Sequence, residues 1–252
     1  MSVIAIIQAR MSSTRLPGKV LLPLGGVPAL NHVVSRIRSC KTIDKVLVAT
    51  STDPSDDAIE TYCGESNFDL YRGSLLDVLD RYYQCAKSVN ANTIVRITAD
   101  CPAIDPIVVD AVVTGFLAGA YDYFSLSGEF PDGLDCEVIS FSALKNAWVN
   151  ANLPSEREHV CPYIHTSHKD EFKTGGLQLF TKLQDMRWTL DESSDYELLQ
   201  KIFDRLYPKN KLFLTNDILS LFSMHPDLIN INNEIKRNAG YLKSLQNDGS
   251  KL

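Results

Sequence analysis

The chain has 252 residues, enough for one large α/β domain with a sizeable core, and its formal net charge is −6. No basic surplus exists to displace counterions from a nucleic acid, and no apolar run approaches the ~20 residues of a membrane span, so neither is expected as a partner. Cys40, Cys63, Cys85, Cys101, Cys136 and Cys161 form no CxxC pair and no zinc spacing, which leaves free thiols in a cytoplasmic protein as the expectation.

Residues 3–7 (Val-Ile-Ala-Ile-Ile) are continuously apolar, as in a strand buried on both faces of a parallel sheet. With no basic stretch before them they read as a strand, not a signal peptide. Gln8-Ala9-Arg10-Met11-Ser12-Ser13-Thr14-Arg15-Leu16-Pro17-Gly18-Lys19 then changes character, with three cations, three hydroxyls and a Pro-Gly turn. Such a loop at the carboxyl edge of a buried strand is where open α/β sheets bind ligands, and its donors suit a polyphosphate.

Residues 21–28 read as a turn-rich connector and 30–37 as a helix with Leu30, Val33, Val34 and Ile37 on one face. A second strand is predicted at 45–49, a helix from Ser55, a short strand at 68–71 and an amphipathic helix at 75–89. Residues 93–98 form a third apolar strand, and a helix follows at 106–117 with Asp105 placed to cap it and Pro106 in its first turn. Alternating strands and helices predict a parallel sheet with right-handed crossovers. The rhythm then breaks. Strands are expected at 121–126, 136–141, 178–180 and 186–190, and helices at 142–149 and 155–164, the latter opened by Ser155-Glu156-Arg157-Glu158 as a capping box. Ser194-Asp195-Tyr196-Glu197 is read as a second box opening 196–206, Asn216 and Asp217 as another helix start, and 228–245 as a polar helical tail.

Three acidic groups stand out. Asp100 follows the third strand, and Pro102 turns the chain away behind it, leaving a carboxylate at the sheet edge facing the first loop. That position suits a hard divalent cation; the alternative is a helix cap, a job for which Asp105 is better placed. Asp191 ends Arg187-Trp188-Thr189-Leu190-Asp191 in the same way, with Ser193 and Ser194 competing as caps, and Asp195 is read as a first-turn acid. Asp132, Asp135 and Glu137 form the third group; alternation puts Asp135 and Glu137 on one face, either to meet sugar hydroxyls or a cation, or as a solvated edge. His159, beside Arg157 and Glu158, is either structural or part of a site.

The segment from Ile7 to Lys19 resembles the opening signature of the sugar nucleotidyltransferases, in the form found in cytidylyltransferases that make CMP-activated acidic sugars, and the whole chain is most similar to the spore-coat polysaccharide biosynthesis protein F group. The resemblance extends through Arg72-Gly73-Ser74, Asp77-Val78-Leu79-Asp80-Arg81, Arg96-Ile97-Thr98-Ala99-Asp100-Cys101-Pro102, Gly133-Leu134-Asp135-Cys136-Glu137, Arg157-Glu158-His159-Val160 and Arg187-Trp188-Thr189-Leu190-Asp191. The broader Gly-x-Gly-Thr loop is replaced here by Arg10-Met11-Ser12-Ser13-Thr14, as is usual in the cytidylyltransferase branch.

The resemblance implies a Rossmann-like, three-layer α/β domain of the GT-A-like nucleotidyltransferase type, with a mostly parallel central sheet and an antiparallel substrate-covering insertion. Residues 1–120 would be the nucleotide-binding half, 121–192 the acceptor half and 193–252 C-terminal helices of one domain. It further implies nucleotidyl transfer from a nucleoside triphosphate, CTP favoured, to a sugar for polysaccharide or glycoconjugate synthesis, with Mg²⁺ and release of pyrophosphate. Carried onto this chain, Ala9 and Arg10 lie near base and ribose, Arg10, Arg15 and Lys19 hold the triphosphate, and Ser74, Asp77 and Arg81 serve the base. Asp100 and Asp191 bind metal, Arg15, Lys19 and Asp100 carry the catalysis, and Asp135, Glu137, Arg157 and His159 face the acceptor sugar. The resemblance also allows a homodimer. Two rival readings are a metal-dependent glycosyltransferase and a non-catalytic module that keeps the fold; the Arg15–Lys19 loop suits a triphosphate better than a nucleotide sugar, and a module has no use for the retained charges.

Overall fold

The structure is a computed structural model, which describes residues 2–235, 237 and 239–248. The first strand, β1 (Val3–Gln8), is followed by the loop, a single 3-10 turn (Lys19–Leu21) and a small hairpin of β2 (Pro23–Leu24) and β3 (Val27–Pro28). Then come α1 (Ala29–Arg38), β4 (Lys45–Ser51), α2 (Asp57–Glu65), β5 (Leu70–Gly73), α3 (Val78–Ser88), β6 (Thr93–Thr98) and α4 (Pro106–Gly119). The second half holds β7 (Tyr123–Ser127), β8 (Glu137–Ser140), α5 (Phe141–Asn150), α6 (Pro154–His159), β9 (Thr174–Gln178), α7 (Ser193–Leu206), α8 (Thr215–Met224) and α9 (Ala239–Asp248).

Seven strands form one sheet in the order β5-β4-β1-β6-β8-β7-β9. β1 pairs in parallel with β4 and β6, so Ile7 lies opposite both Val48 and Ile97. β8 alone runs against its neighbours, and β9 adds in parallel at the far edge. The alternation of β1 feeds two cores. Val3, Ala5 and Ile7 pack on the face carrying α1, α2, α4, α7 and α8, while Ile4 and Ile6 pack against α3 and α5. Ile6 and Ile7 are fully buried, each contributing roughly 2 kcal/mol by removal of its side chain from water. These are the three layers expected of alternating strands and helices.

The chain leaves β1 toward β4 and β5, and α3 then brings it back to β6 on the other side of β1. β1 and β6 are therefore adjacent strands whose following connections diverge, and the gap beyond their carboxyl ends is the crevice where such sheets bind ligands.

Several element expectations shift for local reasons. α3 begins at Val78, not residue 75, because the Asp77 carboxylate caps it by accepting from Asp80 N. The helix expected over 155–164 starts at Pro154 and ends at His159. Its box is formed by Glu156, which accepts from Leu153 N and Asn152 N, and Pro162, which has no N–H to donate, forbids its continuation. α7 opens at Ser193, with Asp195 reaching back to the amides of Asp191 and Glu192. The strand predicted at 178–180 is β9, four residues earlier. It contains Gly175, where a Cβ would come within 2.8 Å of Phe124 and Tyr121, so the packing itself demands glycine. Residues 186–190 are extended but make one isolated bridge, Asp132 to Arg187, instead of a strand. The tail predicted at 228–245 is a 3-10 turn (Pro226–Ile231) and then α9; its Lys236 and Asn238, like residues 249–252, lie outside the described residues. All six cysteines are free and buried, and among the described residues no helix is long and apolar enough to cross a membrane.

Candidate active site

The loop after β1 is pinned at its start and folded back on itself. Met11 N donates to Asp56 Oδ1 at 2.7 Å, and the fully buried Asp56 also accepts from Ser51 N and Ser51 Oγ at the end of β4. Gly18 N donates to Met11 O at 3.0 Å, closing the loop. Gly18 has φ +70°, a conformation open to glycine at no steric cost, and it caps the 3-10 turn that begins at Lys19. Lys19 is consequently turned inward and is only 7% exposed.

Lys19 Nζ donates to Asp100 Oδ2 at 2.8 Å and to Asp191 Oδ1 at 2.9 Å. Arg15 forms an ion pair with the other oxygen of Asp191 and lies 3.7 Å from Glu192. Burial disfavours the charge on Lys19, but the two carboxylates outweigh it and raise its pKa above the ordinary value. Burial likewise opposes ionisation of Asp100, yet Lys19, with a hydrogen bond from Thr98, brings its pKa down to about 2.

Asp100 and Asp191 are ninety-one positions apart, and backbone stitching joins them. Leu190 N and Thr189 Oγ1 both donate to Asp100 O, at 2.7 and 3.0 Å. Asp132 N donates to Met186 O, and Trp188 N to Asp132 O. Gly133 permits this approach: its φ is +106°, and a Cβ there would lie 2.8 Å from Trp188 C and Thr189 N. From behind, Arg187 grips both oxygens of Asp195 and pairs with Asp132. Asp195 is thus a fully buried brace for the Asp191 segment, well beyond the helix-dipole role expected of it.

Around these residues lies a cavity of about 710 Å³ at the carboxyl ends of β1 and β6. Arg10, Arg15, Lys19, Asp100, Asp191 and His159 all line it. Residues 4–220 match the cytidylyltransferase family. The chain belongs to that family.

This cytidylyltransferase is 31% identical to the spore coat polysaccharide biosynthesis protein SpsF of Bacillus subtilis over 89% of its own length and 95% of that protein's. It is 33% identical to a 3-deoxy-manno-octulosonate cytidylyltransferase of Anaeromyxobacter dehalogenans, covering 76% of this chain and 81% of the relative. The solved structure of a cytidylyltransferase from Leptospira borgpetersenii superposes with a TM-score of 0.86 at 33% identity, over 94% of this chain and all of that one. Membership makes the chain a nucleotidyltransferase, which sets aside the glycosyltransferase and the inert module.

A second cavity of about 290 Å³ adjoins the first, and His159 lines both. Asp135 and Glu137 line it together, with Arg96, Tyr123 and His165. Its charges are committed to one another. Arg96 pairs with Glu137, which also accepts from Tyr123 Oη at 2.7 Å, and Arg237 Nη2 donates to Asp135 at 2.8 Å. Burial works against Glu137's charge, but Arg96 pulls its pKa below the ordinary value; burial lowers the pKa of both His159 and His165.

The other expected site residues stand outside both cavities. Arg157 pairs with Asp77 and donates to Trp148 O at 2.7 Å, joining α6 to α3 and α5. Ser74 Oγ accepts from Asp77 N. Arg81 is fully buried beneath Gly73, and none of its guanidinium nitrogens has a hydrogen-bond partner; burial lowers its pKa. Ala9 is buried behind the loop. Two contributions escaped the sequence reading. Asp56 carries no motif that marks it. α9 does carry a signal: Gly240, Lys243, Ser244 and Asn247 all line the larger cavity, at the spacing of one helical face.

Proposed function

We propose that this enzyme transfers a cytidylyl group from CTP to a sugar oxygen and releases pyrophosphate, in the synthesis of a surface polysaccharide or glycoconjugate. One observation carries the reading: at the sheet's switch point a single ammonium, Lys19, is hydrogen-bonded to both Asp100 and Asp191, with Arg15 beside them. That arrangement combines cations for a departing pyrophosphate with carboxylates for a metal at the reacting phosphorus. The names of the Bacillus and Anaeromyxobacter relatives support a sugar acceptor and CTP.

The residues fit a divalent ion that arrives with the nucleotide. Among the described residues no three His, Cys, Asp or Glu side chains gather round one point. Mg²⁺ characteristically takes only one or two carboxylates and completes its shell with substrate phosphates and water, so Asp100 and Asp191 suffice. When bound it would supply positive charge at the α-phosphate. Arg15 and Lys19 hold the β- and γ-phosphates. Arg10 and the backbone of Ala9 lie on the ribose and base side, with Ser74, Asp77 and Arg81 shaping that end from behind.

The acceptor takes the smaller cavity, between Asp135, Glu137 and His159, while Arg157 positions α6 through Asp77. Its hydroxyl oxygen attacks the α-phosphorus in line. The new P–O bond forms as the bond to pyrophosphate breaks, and the hydroxyl proton passes to solvent. Positioning and electrostatics supply most of the rate. The test is pyrophosphate release from CTP, GTP, UTP, TTP and ATP against a panel of acidic and amino sugars. Release with CTP and one sugar class supports the reading; release with none, or hydrolysis that ignores the sugar, overturns it.

A further inference from the structure

We propose that Lys243, on the C-terminal helix α9, is a phosphate-binding residue of the nucleotide site; the inference rests on the reading that the larger cavity takes a nucleoside triphosphate. α9 forms one wall of that cavity, through Gly240, Lys243, Ser244 and Asn247. The wall is fixed on α6 at three places. Ser244 Oγ donates to Glu158 Oε2 at 2.9 Å and meets His159 Nε2 at 3.0 Å. Tyr241 stands edge-on to the His159 ring, with centroids 5.0 Å apart. Ser155 N donates to Asp248 Oδ1 at 3.0 Å. Lys243 lies between these anchors, so its position relative to the loop is set by the docking.

The charge inventory gives the lysine its role. Arg10, Arg15, Lys19 and Lys243 line the cavity, and so do Asp100, Glu158, Asp191 and Glu192. Four cations face four carboxylates, and burial lowers the pKa of His159, which disfavours its charged form. Without Lys243 the wall carries a net negative charge, which repels a polyanion inside a cleft where fields are focused. Arg15 and Lys19 are already paired with the acids. Among the described residues lining this cavity, Arg10 and Lys243 are the cations for which no ion pair is formed. Phosphate oxygens are the acceptors that match an unpaired ammonium in the wall of this cavity.

Calorimetric titration of Mg–CTP and of Mg–pyrophosphate into the wild type, Lys243→Met and Lys243→Arg tests this. Lys243→Met weakens both ligands by about tenfold, the loss of one charge-assisted hydrogen bond, and Lys243→Arg restores both to within about threefold. The melting temperature of Lys243→Met matches the wild type, since the lysine makes no contact that holds the fold. Equal affinities in wild type and Lys243→Met overturn the inference alone, as does a loss confined to CTP, which would put the lysine on base or ribose. A wild-type protein that binds neither pyrophosphate nor any of the five triphosphates overturns the underlying reading and the inference with it.

Discussion

The two cavities that meet at His159 are built on opposite electrostatic plans. In the larger one, a single lysine is shared by two carboxylates, and among the described residues Arg10 and Lys243 form no ion pair. In the smaller one, Glu137 is matched to Arg96 and accepts from Tyr123 Oη, and Asp135 is matched to Arg237. The contrast is between a wall with unpaired cations and a wall whose charges are matched; on the proposed reading the first would meet the triphosphate and the second would shape the acceptor. Substitutions on the two sides should therefore fail in different ways.

The largest effect is expected at Asp100. Asp100→Asn keeps a hydrogen bond to Lys19 but removes the negative charge that would hold metal at the α-phosphate. Turnover should fall by two to three decades, roughly 3–4 kcal/mol of transition-state stabilisation, in a pyrophosphate-release assay. Near-normal activity with Mg²⁺ would break the metal assignment. Across the boundary the signature changes. Glu137→Gln leaves the half-buried Arg96 without its counter-ion, so it should cost about 2–3 kcal/mol of stability, lowering the melting temperature by several degrees. Calorimetry should show nucleotide affinity unchanged. If Glu137→Gln instead weakened CTP and spared the melting temperature, the two cavities would not be the distinct units described.

This division also explains what the sequence could reveal. β1, β4 and β6 are legible because their mainly apolar runs suit central strands covered on both faces, and the loop and Asp100 are legible because strand-end residues are written consecutively. Asp191 was readable as a strand-end acid, although the strand is only an extended segment held by Asp100 O and Asp132. The walls are another matter. Asp56 is recruited by the amide of Met11, and an amide leaves no trace in side-chain pattern. Arg237 and Lys243 arrive from a tail that reads only as a polar helix, and its sequence shows neither the docking of α9 on α6 nor the reach of Arg237 to Asp135. Arg157 looked like a ligand-facing cation beside His159, but alternate helix positions face different ways, and its partner is Asp77.

That last pair sharpens the comparison at smaller cost. Arg157→Met and Asp77→Asn should each lower stability, and the double variant should be less destabilised than the sum by about 1 kcal/mol, the coupling of a partly exposed ion pair. Additive losses in chemical unfolding would dissolve the clamp, and a change in acceptor KM without a change in stability would return Arg157 to the sugar.

The smallest effect is one of pH. Asp100 has a folded pKa of about 2, below its unfolded value of about 3.9, so its contribution to stability is complete above pH 4 and fades as pH falls toward 2. Lys19 is raised above its ordinary value, so its contribution is complete below about pH 10 and fades only as pH rises beyond the folded pKa. Between those limits neither group changes protonation on unfolding, and neither adds a slope. The melting temperatures of wild type and Asp100→Asn, followed from pH 3 to pH 9, should run parallel above pH 5. They should converge below pH 4, by about 1 kcal/mol once partial exposure of the carboxylate is allowed for. Convergence already at pH 6 would mean that Asp100 is not held ionised by Lys19, and the larger cavity would lose the shared ammonium on which its contrast with the smaller one depends.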